Sequence, residues 1–298
     1  MTIRETMLKG KMLIEAPCST ALIDTPSLDA TLLLAETLHI SKENLITRGN
    51  EIMAKEDCEK FFKLLERRRS GECIAYILGR KEFRGLVFSV NPGVLVPRPD
   101  TETLAETALE FIDSLIADGK CGNNLSLLDL CTGSGALAIS LKNERPFLSV
   151  SASDISREAL ETAALNAARL LSSETAAAAE ETAILFIQSD LFENIPGKFD
   201  IILSNPPYIP SGKLSSLAPE IRREPPLALD GGKEGLELIK KIITQAANFL
   251  HPRGVLILEA GPEQMREIRQ LLKTCNFRDI KIKNDLTGRD RVISANLN

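Results

Sequence analysis

"LLDLCTGSGALAIS", Leu127 to Ser140, runs an apolar stretch into an acid, two glycines and a series of small helix-forming residues. It reads as a strand with Asp129 at its end, a tight turn containing Gly133 and Gly135, and a helix from Ser134. Small residues in such a turn let a ligand approach the backbone. The G-x-G-x-x-A spacing is weak by itself. It also describes a turn that binds nothing, or one whose amides face the pyrophosphate of a dinucleotide.

Working outward, strands alternate with helices: "FLSVSASD", a helix from Ser156, "AILFIQSD", "FDIILSN", "GVLILEA", a helix from Pro262, "FRDIKIKND" and "RVISANLN". That alternation predicts a doubly wound α/β sheet, mostly parallel. Only "LTGRD" separates the last two strands, too short for a parallel crossover, so the final strand is expected to be antiparallel. The Ala-rich "LLSSETAAAAEETAI", Leu170 to Ile184, has no amphipathic stripe; it extends the preceding helix or forms a surface insertion, and no role is assigned to it.

Upstream, the first eighty residues read as a helical bundle. Ala30, Leu33, Leu34 and Leu38 form one stripe behind Ser27 as the expected N-cap, and Cys58, Phe61, Phe62 and Leu65 form another, stopped at Gly71. In "FRGLVFSVNPGVLVPRPD" two β-rich runs flank Asn91-Pro92-Gly93, read as the turn of a connecting hairpin. The expected domains are therefore 1–82, helical, and 83–298, hairpin plus α/β sheet.

Composition excludes several classes. The net charge is −5, and up to Phe83 there are thirteen basic and thirteen acidic residues, so all the excess acid lies beyond that point and no basic field draws the chain to nucleic acid. Arg67 to Arg69 is the strongest candidate for a local basic patch, and it reads first as a solvated helix end. Six scattered cysteines without a C-x-x-C pair and only two histidines leave little for a metal site or a His-based triad. No apolar run reaches the roughly 20 residues of a membrane span, and the N-terminus mixes charge signs unlike a signal peptide, so the expected location is cytoplasmic.

Three acceptor positions follow the Gly-rich turn. Asp154, nineteen positions after Gly135, suits the two hydroxyls of an adenosine ribose, although it also suits a helix N-cap. Asp190 can take an adenine amine with Leu191 against the ring; alone it would read as a structural loop acid. Then comes "ILSNPPYIP", Ile202 to Pro210, an apolar strand ending in an Asn and two prolines. Prolines fix φ and lack a donor, leaving carbonyl oxygens as outward acceptors. An amide or aniline-like NH2 is a poor nucleophile because its lone pair is delocalised. The Asn205 side-chain oxygen and the Pro206 carbonyl can each accept one of its hydrogens, and Tyr208 can lie against the planar group and near a sulfonium. The plainer reading of Tyr208 is a buried tyrosine in a Pro-rich turn.

Together with "RRRSGECIAYILGRKEFRGLVFSVNPGVLVPRPDTE", "EPPLALDGGKEGLELI" and "DLTGRDRVISA", these motifs resemble, over nearly the whole chain and in order, the release factor glutamine methyltransferases (PrmC/HemK) among class I S-adenosylmethionine-dependent methyltransferases. The resemblance implies the class I doubly wound sheet with an antiparallel last strand, after a small all-α domain and a hairpin linker. It implies a cofactor site of Cys131, Thr132, Gly133, Ser134, Gly135, Asp154, Leu191 and Asn205, to which Asp190 is added from its place after the third strand. Asn205, Pro206, Pro207 and Tyr208 would hold the substrate, with Asn205, Pro206 and Tyr208 catalytic. Cys131 stands where many relatives carry glycine and Leu191 where some carry an aromatic. Arg98 and Glu102 are expected near the pocket mouth, outside the catalytic set, and Asp100 as a helix cap.

The implied reaction moves the methyl group of S-adenosylmethionine to the N5 amide nitrogen of the glutamine in a release factor's Gly-Gly-Gln motif, with no metal, and with the helical domain docking the protein substrate. One alternative is an amino-group methyltransferase of adenine in DNA or of a base in ribosomal RNA. Others are an NAD-dependent oxidoreductase, which leaves N-P-P-Y unexplained, and a non-catalytic adaptor, which the intact motifs disfavour.

Overall fold

Thr2 and Glu5 open the first helix as a reciprocal cap: the Glu5 amide donates to Thr2 Oγ1 at 3.2 Å and the Thr2 amide to Glu5 Oε2 at 2.9 Å. The computed structural model describes residues 1–15, 23, 25–117, 125–172 and 183–298. Residues 173–182 of the Ala-rich stretch, with Cys18 and Cys121, lie outside the described residues. What is described divides into two units, Met1–Arg80 with Ser216–Arg223, and Lys81–Ser215 with Glu224–Asn298.

The first unit holds α1 (Ile3–Glu15), α2 (Pro26–Leu38), α3 (Lys42–Thr47), α4 (Lys55–Arg69) and α5 (Ile74–Leu78). Its core joins both expected stripes: Ala30, Leu33 and Leu34 of α2 are buried against Phe61 and Leu65 of α4. Gly10 lets α1 approach α4 closely, since a Cβ there would lie 2.5 Å from Phe61 Cζ. The N-cap of α2 is Thr25, with Pro26 at the first helical position and Ser27 inside the helix. Proline's fixed φ sets the helix start one residue after Thr25, so the sequence reading of Ser27 as cap is corrected.

Arg68 corrects the reading of a solvated arginine cluster. Its guanidinium is buried, with Nε donating to Asp29 Oδ2 at 2.7 Å and Nη2 pairing with Glu220 at 2.8 Å. Only Arg67 of that cluster matches the surface expectation, paired to Glu72 across the helix end.

A two-stranded ribbon follows, β1 (Arg80–Phe83) and β2 (Leu86–Ser89), which from Lys81 on belongs to the second unit. Its turn is Arg84-Gly85, with φ of 48° and 74°, not Asn91-Pro92-Gly93. Two consecutive left-handed residues match the twist of a two-residue hairpin. The Asn91–Gly93 turn exists separately, closed by the Gly93 amide on Asn91 Oδ1 at 2.8 Å, and the run after it is not a strand.

The main sheet has seven strands, β3 (Ser126–Leu130), β4 (Ser149–Asp154), β5 (Ile184–Gln188), β6 (Phe199–Ser204), β7 (Leu250–Glu259), β8 (Phe277–Asn284) and β9 (Asp290–Leu297), in the order β5-β4-β3-β6-β7-β9-β8. As expected, β9 is antiparallel to both neighbours, while the pairs from β5 through β7 are parallel. Alternating residues feed two cores. Leu127, Ile201, Leu203 and Ile257 pack beneath α6 (Glu102–Ala117) and α7 (Ala136–Glu144). Leu128, Ile202, Leu256 and Leu258 pack against α9 (Glu237–Phe249) and α10 (Met265–Thr274), on the opposite face from α8 (Arg157–Leu170). The order reverses at β3, which lies between β4 and β6, so the carboxyl ends of these three strands meet at a switch point.

Asp29→Ala should lower the stability of the helical unit by about 3 kcal/mol, the low end for stripping one partner from a buried pair because Glu220 remains. Urea unfolding of the variant reads this directly. A loss under about 1 kcal/mol would show that the Arg68 pair behaves as a surface contact.

Candidate active site

The Gly-rich turn is held by two carboxylates. Asp129, fully buried at the end of β3, accepts from Thr132 Oγ1 at 2.7 Å and from the Ala138 amide at 3.2 Å. Burial pushes its carboxyl up to about 7, and its Oδ1 has no hydrogen-bond partner. Asp154, at the end of β4, accepts from the Gly133 amide and the Ser156 amide, each at 2.9 Å. Ser156 in turn caps α8 through the Ala159 amide, so the cap belongs to Ser156. The helix after the turn starts at Ala136 rather than Ser134, with Gly135 as its left-handed cap.

Backbone geometry explains the residue types. Cys131, Gly133 and Gly135 have φ of 60°, 56° and 81°. That conformation favours glycine, so Cys131 is held in it at a cost in backbone strain. A Cβ on Gly133 would meet open space, whereas one on Gly135 would lie 3.1 Å from Ala163 Cβ, so Gly135 serves helix packing and Gly133 faces outward. The Cys131 thiol is pushed strongly up by burial and by Asp154, and stays protonated.

One cavity collects the carboxyl-edge residues. Cys131, Gly133 and Asp154 line one side, Asp190 and Leu191 another, and Asn205 with Pro207 a third. Thr132 and Ser134 are buried behind it; the Thr132 amide donates to the Ser153 carbonyl at 2.9 Å, and the Ser134 carbonyl accepts from Asn166 Nδ2 at 3.0 Å. Gly135, Pro206 and Tyr208 also lie outside the lining. Further lining was missed in the sequence: Val94, Leu95, Pro225, Leu227 and Ala228 also border the cavity. Glu224, with its side chain 1% exposed, clips these segments by binding Arg98 at 2.5 Å and accepting from the Val96 amide. Arg98 and Glu102 do not line the cavity. "EPPLALD" was the available signal for the far wall, visible only as a motif and not as a contact.

Behind Asn205 sits a buried polar cluster. Asn205 Nδ2 donates to Thr101 Oγ1 at 3.1 Å. The hydroxyls of Thr101 and Tyr208 face Glu259, at the end of β7, with Tyr208 Oη 3.4 Å from Oε1. Arg291 reaches Tyr208 Oη at 3.4 Å and binds Asp285 and Asp100, each at 3.1 Å. Asp100 is thus an ion-pair partner, not the expected helix cap. Burial pushes the Tyr208 hydroxyl strongly up and Glu259 up to about 7.

A model of the PrmC N-terminal domain matches residues 16–79, and one of the methyltransferase small domain matches 111–224. The chain is 36% identical to a release factor glutamine methyltransferase of Bradyrhizobium diazoefficiens, over 98% of this chain and 95% of that one. It is 39% identical to one from Neisseria gonorrhoeae, over 90% and 92%. The chain belongs to the release factor glutamine methyltransferase family. Among solved structures, a methyltransferase from Pyrococcus furiosus aligns with a TM-score of 0.50 at 19% identity, covering 78% of this chain and 96% of that one, a likeness of fold. Among the described residues no helix is long and apolar enough to cross a membrane, and no group of three His, Cys, Asp or Glu is placed to hold a metal ion.

Glu259 makes stability depend on pH with a definite sign. Its folded value near 7 lies above the ordinary 4.5, so the native state holds a proton that the unfolded chain releases between these limits. Stability therefore falls as pH rises from about 4.5 to 7, and the penalty is fully present above that. Glu259→Gln should be more stable than the parent at pH 8, by up to about 3 kcal/mol, with the gap closing toward pH 4. Thermal or urea unfolding at both pH values checks this; a gap independent of pH would contradict it.

Proposed function

We propose that the protein transfers the methyl group of S-adenosylmethionine to the N5 amide nitrogen of the glutamine in the Gly-Gly-Gln motif of peptide chain release factors. The observation that carries this reading is a single cavity lined by both Asp154 and Asn205, an acid suited to a ribose and an amide suited to a reacting NH2. Family membership supplies the substrate class, and the release factors' role on the ribosome supplies a cytoplasmic location.

The residues present fit the cofactor. Open space in front of Gly133 leaves room for a ligand edge against the backbone, and the Asp154 carboxylate, which accepts from the Gly133, Ser156 and Ile155 amides, still has acceptor capacity for a ribose hydroxyl. Asp190 is exposed at the cavity and available to an adenine amine, with Leu191 beside it. When bound, S-adenosylmethionine supplies a sulfonium methyl group open to displacement by a nitrogen lone pair. The chain's part is orientation and polarisation. Asn205 Oδ1 and the Pro206 carbonyl accept the two amide hydrogens and turn the nitrogen lone pair toward the electrophile. Tyr208, fixed by Glu259 and Arg291, braces the corner from behind.

The helical unit is assigned to docking the protein substrate. Its balanced charge suits a protein better than a phosphate backbone, and Leu8, Met12, Ile46 and Ile52 are exposed on it.

Asn205→Ala should leave fold and most cofactor affinity intact while lowering methyl transfer about 100-fold, the scale of losing one preorganised polar group. Mass spectrometry of an intact release factor incubated with labelled S-adenosylmethionine reads both site and rate. Parental turnover in the variant, or methylation of duplex DNA or ribosomal RNA in place of the release factor, would overturn the assignment.

Asp154→Ala should weaken S-adenosylmethionine binding by about 1 to 3 kcal/mol, the range for charged hydrogen bonds. Calorimetry measures it, and unchanged affinity in a folded variant would remove Asp154 from the cofactor site.

A further inference from the structure

An asparagine amide has nearly the same shape in either orientation, yet only one presents an acceptor to a reacting NH2. Here Asn205 Nδ2 faces Thr101 Oγ1 at 3.1 Å, leaving Oδ1 for the cavity. Thr101 alone cannot enforce this, because a hydroxyl donates or accepts equally well. The choice depends on where its single hydrogen goes.

Glu259 supplies the answer. Its side chain is 1% exposed, its Oε2 has no hydrogen-bond partner, and the hydroxyls of Thr101 and Tyr208 both face it. A buried acid with an unsatisfied oxygen is a poor space-filler, so it calls for another explanation. Thr101 is 5% exposed, so water has little access to compete for its hydrogen.

We propose that Glu259 is a positioning residue for methyl transfer: its carboxylate takes the Thr101 hydroxyl hydrogen, makes the Thr101 oxygen an acceptor, and so holds the Asn205 amide with its carbonyl oxygen toward the cavity. The proposal rests on the reading of Asn205 as the acceptor of the substrate amide. Glu259 touches neither cofactor nor substrate in this scheme. An ionised Glu259 can only accept, whereas a protonated Glu259 or a glutamine there also carries a donor; Thr101 is then no longer compelled to give up its hydrogen, Asn205 is free to turn over, and the cavity meets a donor where the substrate needs an acceptor.

The charged groups around Glu259 come from three directions: Arg291 on β9, Asp100 before α6, and Tyr208 after β6, with Asp285 holding the far side of Arg291. Arg291 favours the ionised carboxylate and Asp100 opposes it, and burial outweighs both, so protonation sets in near pH 7. The acid limb of the rate should report that proton.

The test measures methyl transfer to an intact release factor between about pH 6 and 9, with cofactor affinity measured in parallel. The parent should lose rate below about pH 7. Glu259→Gln should be slower by about tenfold or more throughout and lack that acid limb, with cofactor affinity changed by less than about threefold. Thr101→Val, which keeps shape but not the hydroxyl, should show the same loss, and Thr101→Ser should restore the rate. Glu259→Gln turning over within about twofold of the parent, or an acid limb that persists in it, would overturn the proposal. So would full activity in Thr101→Val. A parent that methylates no release factor would instead retract the underlying function, so the two failures are distinct.

Discussion

The site depends on one carboxylate shared between two loops. Asp154 takes the Gly133 amide on one oxygen and the Ser156 amide on the other, joining the turn after β3 to the start of α8. A carboxylate accepting two backbone amides forms charge-assisted bonds that fix both partners. Because β3 and β4 are adjacent and parallel, these bonds extend the sheet register past its last pair, Leu130 with Ser153. The Gly-rich turn is therefore placed by the sheet, and Cys131 and Gly133 reach the same cavity as Asn205, the residue after the last paired position of β6.

That placement strains the backbone. Cys131 and Leu191 both have positive φ, at 60° and 48°, and both line the cavity. Asp129 and Glu259 each bury an oxygen without a partner at the same edge of the sheet. Left-handed non-glycine residues and unsatisfied carboxylates each cost about 1 to 3 kcal/mol. A fold selected for stability alone would avoid four such features at the carboxyl ends of β3, β5 and β7. Their clustering marks the edge where the structure gives up stability for geometry. The two apolar cores that fill the faces of the sheet carry the compensating burial.

What the sequence disclosed follows from range. Strand-helix alternation, the antiparallel last strand and the stripes on α2 and α4 come from local periodicity, and all are present in the structure. Asp154, Asp190 and Asn205 fall at strand ends, where a doubly wound sheet brings them together whatever the side chains do. The hairpin was misplaced because Asn-Pro-Gly carries a stronger composition signal than Arg84-Gly85, although the latter has the required left-handed pair. Arg68 was misread because a helix-end arginine looks solvated until Asp29, thirty-nine positions away, is seen beside it. Glu259 and Thr101 were invisible for the same reason. Neither has a local motif, and their role arises only where β7 and the turn before α6 converge on Asn205.

The amides of the Gly-rich turn also decide which kind of ligand suits it. A pyrophosphate site needs several backbone N–H groups free and pointing outward. In this turn the Thr132 amide is taken by Ser153, the Gly133 amide by Asp154, and the Gly135 amide by the Thr132 carbonyl. Asp154 and Asp190 then add carboxylates to the cavity wall, with Asp129 buried behind. An anionic dinucleotide would meet acids and a shortage of donors, whereas a nucleoside with free ribose hydroxyls and a positive sulfur would meet acceptors. The same G-x-G spacing that leaves both readings open in the sequence is thus turned toward the cationic one by where Asp154 spends its hydrogen bonds. Those carboxylates and spent amides favour a sulfonium donor at the mouth of the Asn205 corner.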